Sequence, residues 1–209
     1  MIRIPKDLKI EILGQIIANS ERGENGWHFS RKDEDSLLGD YLGNLRTNKR
    51  LFRLDKKEYE WEILYHKMQG RGRNAYEKSI GADAIITFEI EDKINKRRTV
   101  KSLIFQAKKE NNVSGLITQK KLMDEVAFGG NFIFTCGEGG YYAQTEIGGQ
   151  RTNVGQFIAY KFIECKIGIE DFEYDEQQEL LKNRGVFIEK VKLDEIVVKV
   201  EIEETEEYR

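Results

Sequence analysis

Cysteine, histidine and proline are all scarce in this chain. The two cysteines, Cys136 and Cys165, stand in unrelated contexts with no CxxC spacing. That argues against a disulfide framework or a zinc site and fits a reducing compartment. The two histidines, His28 and His66, are too few for a histidine cluster, and a histidine-based triad is hard to build from them. Pro5 is the only proline. No apolar run approaches the roughly 18 residues needed to cross a bilayer. No basic-then-apolar leader opens the sequence, so a cytoplasmic protein with no membrane partner is expected. The glycines of "GEGG" at 137–140 lack the GxxxxGK[ST] and GxGxxG spacings of phosphate loops and read as a turn.

What is present suits a folded, polar domain. The chain has 209 residues, 39% apolar, 34% charged and 11% aromatic. The aliphatic and aromatic content is too high for a disordered chain. The net charge of −3 is uninformative, but its distribution is not. Between Lys93 and Lys121 stand nine basic residues and one acid, Glu110; from Glu170 to Arg209 stand fourteen acids and six bases. A local basic zone can meet phosphates on a mildly acidic protein, because fields are screened over about 8–10 Å.

Patterning then orders the elements. Residues 1–28 read as an irregular or partly helical lead-in, with "NSERGENG" (19–26) as a loop. "SRKDEDSLLGDYLGNLR" reads as a helix: Ser30 and Asp33 resemble a capping box, and Leu38, Tyr41, Leu42 and Leu45 keep helical spacing. "RTNKRLFRLDKK" is a basic connector with a short strand. "EYEWEILYHKM" alternates, with Tyr59, Trp61 and Ile63 on one side and Glu58, Glu60 and Glu62 on the other. Residues 82–91 and 99–109 read as a hairpin turning at 92–98. A helix over 115–128 and a short apolar strand over 131–137 follow. Residues 137–156 read as a glycine-rich irregular stretch, 157–168 as a helix, and 175–185 as a helix stopped by Gly185. Two strands, "VFIEKV" and "EIVVKVEIE", and a frayed tail end the chain. One domain is expected over 1–209, with a core over about 30–168 and an acidic C-terminal extension, 169–209, packed on it.

The stretch "SLIFQAKK" carries the chemistry. Leu103, Ile104 and Phe105 read as a buried strand, yet Gln106 and Lys108 follow two apart on one face. In a hairpin turning at 92–98, paired residue numbers sum to roughly 190, which sets Asp83 opposite about residue 107. Asp83, Gln106 and Lys108 therefore converge. Phosphodiester hydrolysis uses a divalent cation to stabilise the phosphate and activate water. Mg²⁺ or Mn²⁺ takes oxygen ligands, here the Asp83 carboxylate, the Gln106 amide and the Ala107 carbonyl, with Lys108 stabilising developing charge.

"GAD" at 81–83 followed by "QAK" at 106–108 resembles the PD-(D/E)xK, restriction-endonuclease-like nucleases in their D…QxK variant. "LLGDYLGNLR", "GRGRNAYEKSIGAD" and "FIAYKFIECKIG" resemble nuclease domains of bacterial anti-phage defence systems. The resemblance covers about residues 30–168, is specific at the two motifs, and departs from the pattern in lacking the proline and in having Gln106 in place of a second acid. It implies an α/β fold with a restriction-endonuclease-like core, a central mixed four- to five-stranded sheet flanked by helices, and C-terminal additions. It also implies a Mg²⁺-dependent endonuclease acting on double-stranded DNA, working as a homodimer or as a subunit of a larger defence complex. The alternative is a catalytically weak or inactive module on the same fold that binds nucleic acid or a partner protein.

The remaining candidates surround this centre. Glu77, six residues before Asp83, is either a further catalytic carboxylate or a surface acid paired with Lys78 or Arg73. Asp33, Glu34 and Asp35 start the first core helix, where acids serve the helix dipole or reach the site. Arg71, Arg73, Lys109, Lys120 and Lys121 are candidate phosphate contacts, and solvated side chains otherwise.

Overall fold

A computed structural model describes residues 4–26, 34–68, 76–137 and 139–188, apart from the side chains of Tyr76 and Glu77. Helix α1 (Lys6–Asn25) precedes α2 (Glu34–Leu45), then strands β1 (Thr47–Leu54) and β2 (Lys57–Lys67). A short helix α3 (Tyr76–Ile80) leads into β3 (Ala84–Asp92) and β4 (Arg97–Lys109). Helix α4 (Leu116–Ala127) connects β4 to β5 (Asn131–Gly137), and β6 (Gly140–Gln144) and β7 (Thr152–Asn153) follow. Helix α5 (Val154–Phe157) continues as a π-helix over Ile158–Ile163. Strands β8 (Ile169–Glu170), β9 (Phe172–Asp175), β10 (Leu180–Asn183) and β11 (Val186–Phe187) complete the described chain. No described helix is long and apolar enough to cross a membrane.

The architecture is α/β: a mixed, largely antiparallel sheet flanked by helices. Its order is β1-β2-β3-β4-β5-β6-β7, and β8 pairs with β4 beside this path, making eight strands. The sheet is wider than the four or five strands expected. The extra width comes from β1, a basic edge strand, and from β6 and β7 in the stretch read as irregular; β6 folds back on β5, with Thr135 opposite Tyr142 and Gly137 opposite Gly140. The only parallel pair in this sheet is β4 with β5, joined through α4 as such pairs must be through a long crossover.

Strand β4 explains the layering. Its odd-numbered apolar residues Leu103, Phe105 and Ala107 join a core with Ile86, Phe132, Phe134 and helices α1, α2 and α5. Its even-numbered Ile104 joins a second core with Ile85, Met123, Phe172 and Leu181 on the opposite face. Each face of the sheet is thus dry, which accounts for continuous burial along β4 from Val100 to Ala107.

Two readings are corrected. Residues 19–25 continue α1 instead of looping. Their polar residues are buried with partners: Asn19 Nδ2 donates to the Leu45 carbonyl (3.3 Å), and Ser20 Oγ lies 2.6 Å from Tyr41 Oη. Gly23 belongs to the same contact, since a Cβ there would lie 3.0 Å from the Tyr41 ring. Residues 175–185 are a hairpin, not a helix. Asp175 Oδ1 accepts from the N–H groups of Gln177 and Gln178 at 3.0 Å, and the turn's residue Glu179 has φ 55°. Side chain–backbone capping of this kind competes with helix formation. The described part of the C-terminal segment joins the main sheet through β8 and forms a second, three-stranded sheet, β11-β10-β9. Lys101 pairs with Glu170, and Ser102 Oγ donates to the Phe172 carbonyl. The expected strand "EIVVKVEIE" and the tail lie outside the described residues.

Candidate metal centre

The hairpin β3–β4 sets Ala84 opposite Phe105 and Ile85 opposite Ile104. Extending that register sets Asp83 opposite Gln106, one residue from the expected position. Asp83 is anchored through its backbone, its N–H donating to the Phe105 carbonyl and its carbonyl accepting from Met68, both at 2.8 Å. Gly81 makes this entry possible. Its φ is +74°, and a Cβ would sit 2.3 Å from the Gln119 carbonyl oxygen of α4. Only glycine admits both the backbone angle and the approach of α4.

The Asp83 carboxylate bends over the end of β4. Its Oδ2 accepts from the Ala107 N–H at 2.6 Å and from Gln106 Nε2. Gln106 Nε2 also donates to the Ala107 carbonyl at 3.1 Å. Gln106 is only 3% exposed, and its Oε1 is buried without any hydrogen-bond partner. A buried amide oxygen with no partner costs on the order of 1–3 kcal/mol, so such groups cluster where a ligand supplies the missing partner. Ala107, 1% exposed, packs in the opposite core, as its small size requires. Lys108 shares the face of Gln106 and is half-buried.

A second carboxylate reaches the centre from α2. Glu34 Oε2 accepts from the Lys109 N–H at 2.9 Å, across 75 residues of sequence. Burial pushes the Glu34 carboxyl above the ordinary range against that hydrogen bond; Asp83 adds to the rise and Lys108 opposes it. Of the two described acids at the start of that helix, Glu34 is the one turned to the centre. Asp35 pairs with Lys67 at 2.9 Å, and Asp33 lies outside the described residues.

The other candidates separate. Glu77 lies in α3, with its side chain outside the described residues, as are Arg71 and Arg73 entirely. Lys109 stands at the end of β4 next to Lys108. Lys120 is buried and grips both carboxylate oxygens of Asp124 at 2.6 and 2.7 Å, which Asn131 also contacts; this is a structural knot, away from solvent. Lys121 is exposed on α4. His66 pairs with Glu176 at 2.9 Å, as a structural histidine would.

Sequence reasoning did not single out the cleft beside Lys108. It has a volume of about 520 Å³ and is bounded by the ends of β4, β5 and β6, the start of α4 and residues 147–151. Thr135 lies beside Lys108 in the parallel pair, and Gln144 lies beside Ile133, itself next to Gln106. Thr135 reads as an ordinary strand residue, while Gln144 and Arg151 sit in a glycine-rich stretch whose strand pairing has no strong local signal.

Among the described residues, no three His, Cys, Asp or Glu side chains gather to hold a metal. The donor set is instead mixed: two carboxylates, an amide oxygen and a backbone carbonyl. Oxygen donors of this kind suit a hard cation such as Mg²⁺ or Mn²⁺. Compared with protein-family models, curated proteins and solved structures, the chain matches none.

Proposed function

We propose that this protein is a metal-dependent endonuclease of the PD-(D/E)xK, restriction-endonuclease-like type, hydrolysing phosphodiester bonds in double-stranded DNA in bacterial anti-phage defence. The observation that carries the reading is the convergence of the Asp83 carboxylate and the Ala107 carbonyl on Gln106 Nε2, in an amide whose Oε1 is buried without a hydrogen-bond partner. Two oxygens converge on the amide's positive end, so this spot favours positive charge. Within the order α2, β1, β2, α3, β3, β4, α4, β5, the antiparallel β2–β3–β4 with β5 parallel to β4 support the nuclease-like core expected over about 30–168.

In this reading Asp83, Gln106 and the Ala107 carbonyl hold Mg²⁺ or Mn²⁺, with Glu34 as a further carboxylate. When bound, the ion stabilises charge on the phosphate and makes water a better nucleophile. The chain's own groups do the rest. The Ala107 N–H fixes the Asp83 carboxylate, and Lys108 offers its ammonium to a phosphate oxygen on the Gln106 face. Lys109 and Lys121 contribute sequence-independent phosphate attraction. The protein acts as a homodimer, which brings two centres to two strands, or as a subunit of a larger defence complex.

Plasmid incubated with Mg²⁺ tests this directly. Wild type is expected to nick, and Asp83→Ala and Lys108→Ala are expected not to; equal nicking by all three would sink the assignment. A second reading, a module on the same fold that binds nucleic acid or a partner without cleaving, is favoured by one contact: Gln106 Nε2 already satisfies Asp83 Oδ2. Calorimetry with Mn²⁺ separates the two. A binding heat lost in Asp83→Ala favours the enzyme, and no heat in wild type favours the module.

A further inference from the structure

The cleft beside Lys108 has the size and chemistry of a nucleotide site. Its volume of about 520 Å³ lies within the roughly 300–1,000 Å³ of small-ligand pockets. Its walls are of two kinds. Leu116 and Ile133 give it an apolar floor, and Val113 and Ile147 bring apolar side chains to its rim, 71% and 44% exposed. Exposed aliphatic groups on the lining of a cleft can take the apolar face of a base. The polar groups are amides and cations. Gln144 and Asn112 line it with side-chain amides; Gln144 Nε2 is engaged by the Gly149 carbonyl and Asn112 Oδ1 by the Ser114 N–H, so Gln144 Oε1 and Asn112 Nδ2 are the acceptor and donor for a base edge. Lys108, Lys109 and Arg151 supply positive charge on the same lining.

The cleft is also held in shape. Gln144 Nε2 donates to the Gly149 carbonyl (2.8 Å), bracing the loop that carries Ile147. Arg151 Nη1 pairs with Glu110 Oε1 (2.8 Å), tying the loop's far end to the chain just beyond β4. Glu110 pairs with one of the three cations. Helix α4 begins at this cleft with no acid in its first turn, so its positive dipole end is uncompensated there.

We infer that this cleft takes one unpaired nucleotide of the DNA substrate, swung out of the duplex beside the candidate metal centre. The base lies between Val113 and Ile147 above Leu116, its edge is read by Gln144 and Asn112, and its phosphate is held by Lys109 and Arg151. A base stacked inside a duplex cannot enter a cleft of this size, so binding favours sites where unstacking is cheap: mismatches, bulges and single-stranded junctions. The inference rests on the nuclease reading for its substrate class.

The test uses the full chain as Asp83→Ala in EDTA, so that binding is read without cleavage. Fluorescence anisotropy compares a perfect duplex with one carrying a single-nucleotide bulge, with 2-aminopurine at the bulge. At least 10-fold tighter binding to the bulged duplex is expected, with a change in 2-aminopurine emission. Ile147→Glu and Arg151→Ala, both at exposed positions, are each expected to abolish that preference while leaving perfect-duplex affinity within about threefold. Equal affinity for the two duplexes would overturn the inference, as would a preference untouched in both variants. Competition by inorganic phosphate as strong as by thymidine monophosphate would overturn it too, because the base would then contribute nothing. Plasmid nicking by wild type is scored separately. Nicking without bulge preference defeats the inference and leaves the nuclease reading standing; bulge preference without nicking does the reverse.

Discussion

The two ends of β4 bury polar side chains in opposite ways. Near its start, Lys101 is 3% exposed, donates to the Phe162 carbonyl at 2.6 Å and lies 5.0 Å from the centre of the Phe162 ring. Its neighbour Ser102 is fully buried between Thr87 Oγ1 and the Phe172 carbonyl. There the folded chain itself supplies the partners of both side chains. At the other end Gln106 is equally buried, yet its Oε1 has no partner. The same strand thus carries a closed polar cluster and an open one. Closed clusters specify packing; an open one leaves a buried polar atom whose cost the fold must carry.

That contrast can be broken by substitution. The largest effect is expected at the open end. Asp83→Ala should lower nicking by roughly 10²–10³-fold, while Ser102→Ala leaves the rate unchanged; rates measured under single turnover check this. Loss of activity in Ser102→Ala with an unaltered melting temperature would erase the distinction. At the closed end, Lys101→Ala should cost about 2 kcal/mol of stability by urea denaturation without changing nicking, because it removes a buried charge-assisted hydrogen bond and the side chain packed on the Phe162 ring, although the Phe162 carbonyl keeps the Cys165 N–H.

Lys101 also sharpens the comparison through pH. Burial holds its ammonium below the ordinary lysine value of 10.5. The unfolded chain therefore binds more protons than the folded one between the lowered value and 10.5, and stability rises with pH across that window. Wild type should gain stability relative to Lys101→Met as pH climbs toward 10.5, and a melting-temperature series of both proteins checks it. A flat difference would mean that the Phe162 carbonyl fully offsets the burial.

A smaller effect is expected from Gln106→Glu. A carboxylate there faces Asp83 Oδ2 and the Ala107 carbonyl where an amide NH₂ now donates. The metal-free variant should lose about 1–2 kcal/mol, and Mn²⁺ should restore its melting temperature more than it shifts the wild type. The smallest readout is chemical. The buried Cys136 thiol is pushed up to about 12 by burial, whereas Cys165 is exposed. Iodoacetamide at pH 8 should label Cys165 alone until the protein is unfolded.

How much of this was legible in the sequence follows from where the signals sit. The centre was readable because its members lie on one hairpin. Alternation set Gln106 and Lys108 on one face, and the turn at 92–98 fixed Asp83 within one residue of its observed place. Glu34 was one of three acids at a helix start, and the packing of α2 over the end of β4 is what brings it to the centre. The width of the sheet was hidden because β6 and β7 are short, glycine-flanked and defined by what they pair with. The hairpin over 175–185 was misread because Glu, Gln, Leu and Lys favour helices as residues, while Asp175 and the left-handed Glu179 and Arg184 impose turns. In α1, Asn19, Ser20 and Gly23 look like loop composition and are instead the small, bonded residues that let Tyr41 approach.

The reach of Glu34 has a consequence for how the protein is born. Asp83 meets Ala107 across 24 residues, whereas Glu34 meets Lys109 across 75. Closing the longer loop costs more entropy, and contacts of high sequence separation are slow to form. The hairpin half of the centre can therefore assemble while α2 is still undocked. A folding chain would pass through a stage with its aspartate and lysine aligned but its second carboxylate absent, and would become competent only when the helical layer closes.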